Sequence, residues 1–370
     1  MTITKKFLSL DWVLTTVVLL LIGLSLASLY PISYSGNDLG NGEINNFFRQ
    51  VIFAVSGMVI FFVLSFVDYR FLRSVSPALF LFGIFLLIMV VISGKIIRGT
   101  SGWITLGFFN FQPVELFKLI IAVTLARYFS LNIRTIREAR HIFISAVPVL
   151  ISIGLILAQP DLGSAIVIFG AWAGVLLLSG TKKSYIAVII MAGLLISLVG
   201  WHVFLKDYQK ERIIVFMKPS SDPLGAGYNV LQSTVAVGSG GIWGKGLGHG
   251  SQSQLNFLPE KHTDFIFAVI SEELGFVGAI FVLILMMVIL IRLFSISNHS
   301  RDNFGKLLVG AISVIIFIQI IINIGMNIGI VPVAGIPLPL LSYGGSSLLT
   351  TLAMLGIAQS VFRENQPRFY

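Results

Sequence analysis

Asp264 has the clearest capacity for chemistry in this chain. It stands where the polar stretch Leu258-Pro259-Glu260-Lys261-His262-Thr263 gives way to an apolar run. An ionised carboxylate at such a boundary is costly to desolvate, which points to proton transfer or ligand binding rather than packing. Other polar groups interrupt apolar runs elsewhere. Glu115 and Lys118 are three residues apart, share one helix face and can pair, an arrangement that suits a structural role and a site equally. Asp161 follows Pro160 and opens an apolar run, the position of a helix N-cap as well as of a site residue. Glu272 and Glu273 fall about two turns into the run that Asp264 begins, so at least one must face a cavity or a partner. His262 is read as bonding to backbone or a neighbour rather than to a metal.

The elements that must position these groups are membrane helices. Of 370 residues, 56% are hydrophobic and 11% charged, more apolar surface than a soluble fold can hide. The fold class is therefore an all-α polytopic membrane protein, one integral membrane domain over 1–370. Apolar runs of membrane-crossing length recur at 12–30, 48–67, 76–93, 113–129, 141–158, 162–179, 184–204, 264–291, 307–328 and 344–361, which predicts ten spans. Gln159-Pro160-Asp161 separates the fifth and sixth, so they form a tight hairpin. The run from 264 is long enough to be tilted, kinked or begun outside the bilayer. With a cytoplasmic N-terminus, 15 of the 25 Lys+Arg fall on the inner loops and both termini are inside. The net charge of +9 is mostly this positive-inside bias and needs no nucleic-acid partner. The first apolar run follows Lys5 and Lys6 without a small-residue cleavage site and is read as an uncleaved span.

Several chemistries are excluded. With no Cys there is no disulfide, thiolate nucleophile or cysteine-bound metal. No Walker loop or HExxH pattern is present, so ATP-driven transport and zinc hydrolysis lose support. The segment 206–263 is too long for an ordinary connection and is read as an extracytoplasmic loop folded over the bundle as a lid. Within it, Tyr228 to Val237 has amphipathic helical spacing. The glycine-rich run 238–250 lets backbone N–H groups approach an anion, with Lys245 supplying charge; a plain turn region is the alternative.

The series RGTSGWITLGFFNFQPVELFKL, AQPDLGSA, SDPLGAGYNVLQS, GSGGIWGKGLGHGSQSQLNFLPEKHTDFIFAVISEELG and GIPLPLLSYGGSS covers essentially the whole chain and resembles the SEDS (shape, elongation, division and sporulation) family. The combination of DPLGAGY and GSQSQLNFLPEKHTDFIF is most similar to its elongation members rather than its division members. The resemblance implies a ten-helix peptidoglycan glycosyltransferase of the bacterial cytoplasmic membrane that polymerises lipid II into a growing glycan strand on the extracytoplasmic side. It also implies a class B penicillin-binding protein and other elongation-complex proteins as partners.

The resemblance places the catalytic Asp at Asp264, in the HTDF motif, as the base that takes the acceptor hydroxyl proton. It carries Glu115, Lys118 and Asp161 onto polar positions of the central cavity. Arg49, Arg98, Arg212 and Lys245 become candidates to neutralise the diphosphate, with Lys261 and His262 beside the catalytic residue. No organic cofactor is implied; a divalent cation, Mg²⁺ or Mn²⁺, would serve the same neutralising role. Two positions depart from the family pattern: Gly102 stands where Arg is common, so the expected phosphate contact either moves to Arg98 or is lost, and Thr234 stands where Lys is common. Both bear on the diphosphate-binding shell more than on the chemistry. Two other functions remain in view: a lipid flippase, which shares the polytopic bundle and intramembrane charges, and a non-catalytic scaffold. No internal repeat supports the first, and the second gives Asp264 no reason to occupy a costly boundary.

Overall fold

In the computed structural model of the chain, the described residues are 9–34, 43–97, 100–107, 109–185, 187–189, 191, 193, 210, 214–217, 226–255, 257–258 and 260–366. Helices α1 (Trp12–Tyr34), α2 (Glu43–Phe66) and α3 (Arg70–Ser93) are followed by three short strands. Then come α4 (Pro113–Leu131), α5 (Arg140–Ala158) and α6 (Leu162–Leu178). After the loop region are α7 (Ala226–Ser239), the single turn α8 (Ser251–Gln254), α9 (Ile266–Asn298), α10 (Asn303–Asn327) and α11 (Gly345–Asn365). Among the described residues, seven helices are long and apolar enough to cross a membrane; α6 is shorter, and α4 carries Glu115, Lys118 and Arg127. Every expected span coincides with a helix except 184–204, most of which lies outside the described residues. The expected hairpin is present between α5 and α6, and the expected amphipathic stretch is α7.

The strands β1 (Lys95–Ile97), β2 (Thr100–Leu106) and β3 (Phe109–Phe111) form an antiparallel meander between two of the expected spans. They are too short to carry a periodic signal of their own.

α10 and α11 bury most of their length inside the bundle, whereas α2, α3 and α5 turn most of theirs outward. Glycines permit close helix approach where lipid supplies no hydrophobic drive between helices. A Cβ on Gly356 would stand 2.6 Å from the Phe61 carbonyl oxygen, and one on Gly57 would meet the Leu352 side chain at 2.4 Å, so α2 and α11 lie nearly backbone to backbone. At the end of the bundle away from Asp264, Asp11 pairs with Arg292 at 2.6 Å and Gln359 donates to the Asp11 carbonyl, joining α1, α9 and α11.

α9 is broken at Gly275, whose φ of 67° and ψ of −164° are open only to glycine. A broken helix frees backbone groups that lipid cannot satisfy. Here the glycine-rich segment satisfies them: Phe276 and Val277 N–H donate to the carbonyls of Gly241 and Ile242, and Lys245 and Gly246 N–H donate to those of Glu272 and Glu273. The segment read as a lid is thus, in its described part, bonded into the break of α9.

Candidate active site

Four helices begin around one cavity. Its walls include Gln112, which precedes α4; Asp161 and Leu162 at the start of α6; Thr263 and Asp264, which precede α9; and Gly344 to Ser347 at the start of α11. Trp103 of β2 and the 334–337 segment complete the enclosure. Helix N-termini carry the positive end of the macrodipole and unpaired N–H groups, so the shared cavity favours anionic groups.

The backbone of Asp264 is held from two sides. Asn323 and Asn327, one turn apart on α10, both donate side-chain amide protons to the Asp264 carbonyl, at 3.0 and 2.9 Å. Asn323 also donates to the Ile336 carbonyl at 2.8 Å, which fixes the opposite wall. Ser342 donates to the Thr263 carbonyl at 2.6 Å, and Tyr343 N–H donates to the His262 carbonyl at 2.8 Å. The Asp264 carboxylate faces Gly335, at which an added Cβ would lie 3.8 Å from Oδ2. Gly335 has φ 65°, so the wall opposite the carboxylate is bare backbone.

Asp161 reaches the same cavity and also caps α6, accepting from Ser164 N at 2.9 Å and from the Ser164 hydroxyl at 2.8 Å. The structural and site readings of this residue are therefore compatible. Glu115 and Lys118 form a 2.7 Å ion pair, each almost fully buried, and neither lines the cavity.

Lys245 and Lys261 are engaged by the protein's own acceptors. The Lys245 ammonium is 2.9 Å from the hydroxyls of Ser239 and Ser251 and 2.8 Å from Glu272, which commits its three protons. Glu272 also accepts from Gln252 N and Ser253 N, while Glu273 accepts from Gly248 N and the Gln254 amide. The glycine-rich loop does cradle an anion, but the anions are the protein's own Glu272 and Glu273. Lys261 is buried and donates to the Ser253 carbonyl at 3.0 Å, and His262 meets the site through its main chain. Neither lines the cavity. Arg49, half-buried on α2, precedes Gln50, whose side chain contacts Ser342 and Gly344 at the cavity rim. Arg98 and Arg212 lie outside the described residues. Among the described residues no three His, Asp or Glu side chains converge as a metal cluster would require.

Sequence reading did not single out Asn323, Asn327, Ser342, Trp103, Gln112 or Ser346. The signal for the first two was present: amides four apart in an apolar helix share one face and need polar partners within the bundle.

The profile of the FtsW/RodA/SpoVE family, described as cell cycle proteins, matches residues 11–367. The chain belongs to the FtsW/RodA/SpoVE family. It is 39% identical over 347 residues to the peptidoglycan glycosyltransferase MrdB of Escherichia coli K12, covering 94% of this chain and 92% of that one. It is 37% identical over 366 residues to stage V sporulation protein E of Bacillus subtilis, covering 97% and 99%. Among solved structures, a chain from a peptidoglycan synthase complex that coordinates polymerization and crosslinking matches with a TM-score of 0.80 at 32% identity, covering 97% and 99%. The rod shape determining protein RodA of Thermus thermophilus matches with a TM-score of 0.70 at 28% identity, covering 96% and 97%. These matches cover nearly the full length of the chain.

Proposed function

We propose that this chain is a peptidoglycan glycosyltransferase of the RodA type that polymerises lipid II, with undecaprenyl diphosphate as leaving group. The observation that carries this reading is Asp264, fixed through its backbone by α10 and set with its carboxylate on a cavity where four helices begin. The activity of the similar Escherichia coli MrdB supports it.

In the reaction, a sugar hydroxyl of the acceptor attacks the anomeric carbon of the donor. The new C–O bond forms as the bond from that carbon to the diphosphate oxygen breaks, and the diphosphate leaves with the electron pair. Asp264 accepts the hydroxyl proton. Mg²⁺ or Mn²⁺ arriving on the diphosphate would supply charge neutralisation, as a cation held largely by phosphate oxygens and water does.

The cavity is assigned to the extracytoplasmic side of the bacterial inner membrane, with both termini cytoplasmic, because the basic residues favour the opposite loops. A class B penicillin-binding protein is the assigned partner, supported by the peptidoglycan synthase complex to which the similar chain belongs. A flippase needs a route past the charged groups, and Glu115 with Lys118 closes on itself as a buried pair. The deciding measurement is incubation of the purified full chain with lipid II and separation of the products by size. Glycan strands are expected; translocation across vesicles without any polymer would overturn the assignment in favour of transport.

A further inference from the structure

We propose that the N-terminus of α11 binds the diphosphate of a prenyl-diphosphate-linked sugar, through the N–H groups of Gly345, Ser346 and Ser347 and the Ser347 hydroxyl. The inference rests on the glycosyl-transfer reading and names the part of the site that takes the leaving group.

The four helices that open on the cavity do not treat their free donors alike. α4 starts with Pro113, which has no N–H to satisfy. In α6 the Asp161 carboxylate accepts from Ser164 N, and in α9 the Asn327 side-chain oxygen accepts from Ala268 N at 3.1 Å. α11 begins after Gly344 with no side-chain cap, and the N–H groups of its first three residues meet no acceptor among the described residues. Uncapped donors at the positive end of a helix make an anion site when something else marks a ligand there.

Ser347 supplies that mark. It is only 8% exposed, it lines the cavity, and its hydroxyl has no hydrogen-bond partner among the described residues. Its neighbour Ser346 is occupied in accepting from Gln112 N at 2.9 Å, which holds the start of α4 beside the start of α11. Gly344 bares the approach. Its φ of 169° is extended backbone that any residue adopts, and an added Cβ would meet nothing nearer than Ser347 Cβ at 3.8 Å. Neither backbone conformation nor packing therefore requires glycine there, whereas an approaching phosphate would need the space.

The charges point the same way. No Lys or Arg lines the cavity among the described residues, while Asp161 and Asp264 both do. A diphosphate entering this cavity is repelled by both carboxylates and attracted to the α11 terminus. Docking it there would also separate the leaving group from the base on Asp264.

The test uses the purified full chain, with undecaprenyl diphosphate and undecaprenyl monophosphate as probes. The natural chain is expected to bind the diphosphate at least about tenfold more tightly, as charge-assisted bonds to a second phosphate imply. Gly344→Asp places a carboxylate at the N-cap, where it takes the free N–H groups itself. Its melting temperature should hold or rise while the preference for diphosphate disappears. Ser347→Ala should lose about three- to tenfold in diphosphate affinity by removing one hydrogen bond. A folded Gly344→Asp chain that keeps the preference overturns the proposal. Should that variant not fold, undiminished affinity in Ser347→Ala overturns it instead. Both readouts are independent of turnover, so a natural chain that makes no glycan would sink the transferase reading alone.

Discussion

The Asn327 side chain donates to the Asp264 carbonyl at 2.9 Å and accepts from Ala268 N at 3.1 Å. One amide thus fixes the backbone of the candidate base and caps the helix that follows it. Asn327→Asp keeps the acceptor but loses the donor, setting a carboxylate oxygen against a carbonyl oxygen. Turnover with lipid II should fall about tenfold or more, and stability by about 1–3 kcal/mol. A variant with natural turnover would mean that this clamp does not govern the reacting geometry.

Asp264→Asn preserves shape and removes the base. Loss of a general base typically costs about 10²- to 10⁴-fold in rate, so glycan synthesis should drop by that factor while membrane level and melting temperature stay close to natural. Polymer yield within twofold of the natural chain would remove Asp264 from the mechanism.

Glu115 and Lys118 lie away from the cavity lining and bury an ion pair at 2.7 Å. Lys118→Met leaves the Glu115 carboxylate buried without its partner, at a cost of about 3–5 kcal/mol. The double change Glu115→Leu with Lys118→Met should restore much of the lost stability. Denaturation of the three chains in the same detergent compares them directly, and a single variant as stable as the natural chain would refute the pairing argument.

Gly275 carries φ 67° and ψ −164°, and a Cβ there would stand 2.3 Å from Gly244 N. Gly275→Ala should therefore cost at least about 1–3 kcal/mol from backbone conformation alone, and should loosen the 241–246 segment from α9. Faster amide hydrogen exchange at residues 245–246 and 276–277 is the expected sign. Unchanged exchange would show that the segment is held by other contacts.

Tyr69, just before α3, is hydrogen-bonded to Asp302 at the start of α10. Burial, followed by the Asp302 hydrogen bond, pushes its phenol pKa above the ordinary value of 10.0. A raised folded-state value means that this stabilisation is fully present below pH 10.0 and is lost as pH rises beyond it. Between pH 6 and 9 the bond should contribute a constant amount, so Tyr69→Phe should lower stability equally across that range, by about 1 kcal/mol. A loss that varies across it would assign the titration to another group.

Sequence by itself determined the class, because long apolar runs with sparse charge have one stable solution in lipid, the hydrogen-bonded helix. It also singled out Asp264 and Asp161, since a carboxylate at an apolar boundary is costly wherever the chain folds. The residues that work on these two were decided by tertiary structure. Lys245 and Asp264 belong to one polar segment, yet Lys245 folds back onto Glu272 while Asp264 turns into the cavity, a divergence set by the break at Gly275. Asn323 and Asn327 read along the chain as amides in an apolar helix, and only the packing of α10 beneath residue 264 gives them their acceptor. The opening of α11 reads along the chain as the start of an expected span, and only its convergence with three other helix starts makes it part of a site. Local patterns record the cost of burying a group, whereas the partner that offsets that cost can lie hundreds of residues away, as Gln359 does for Asp11.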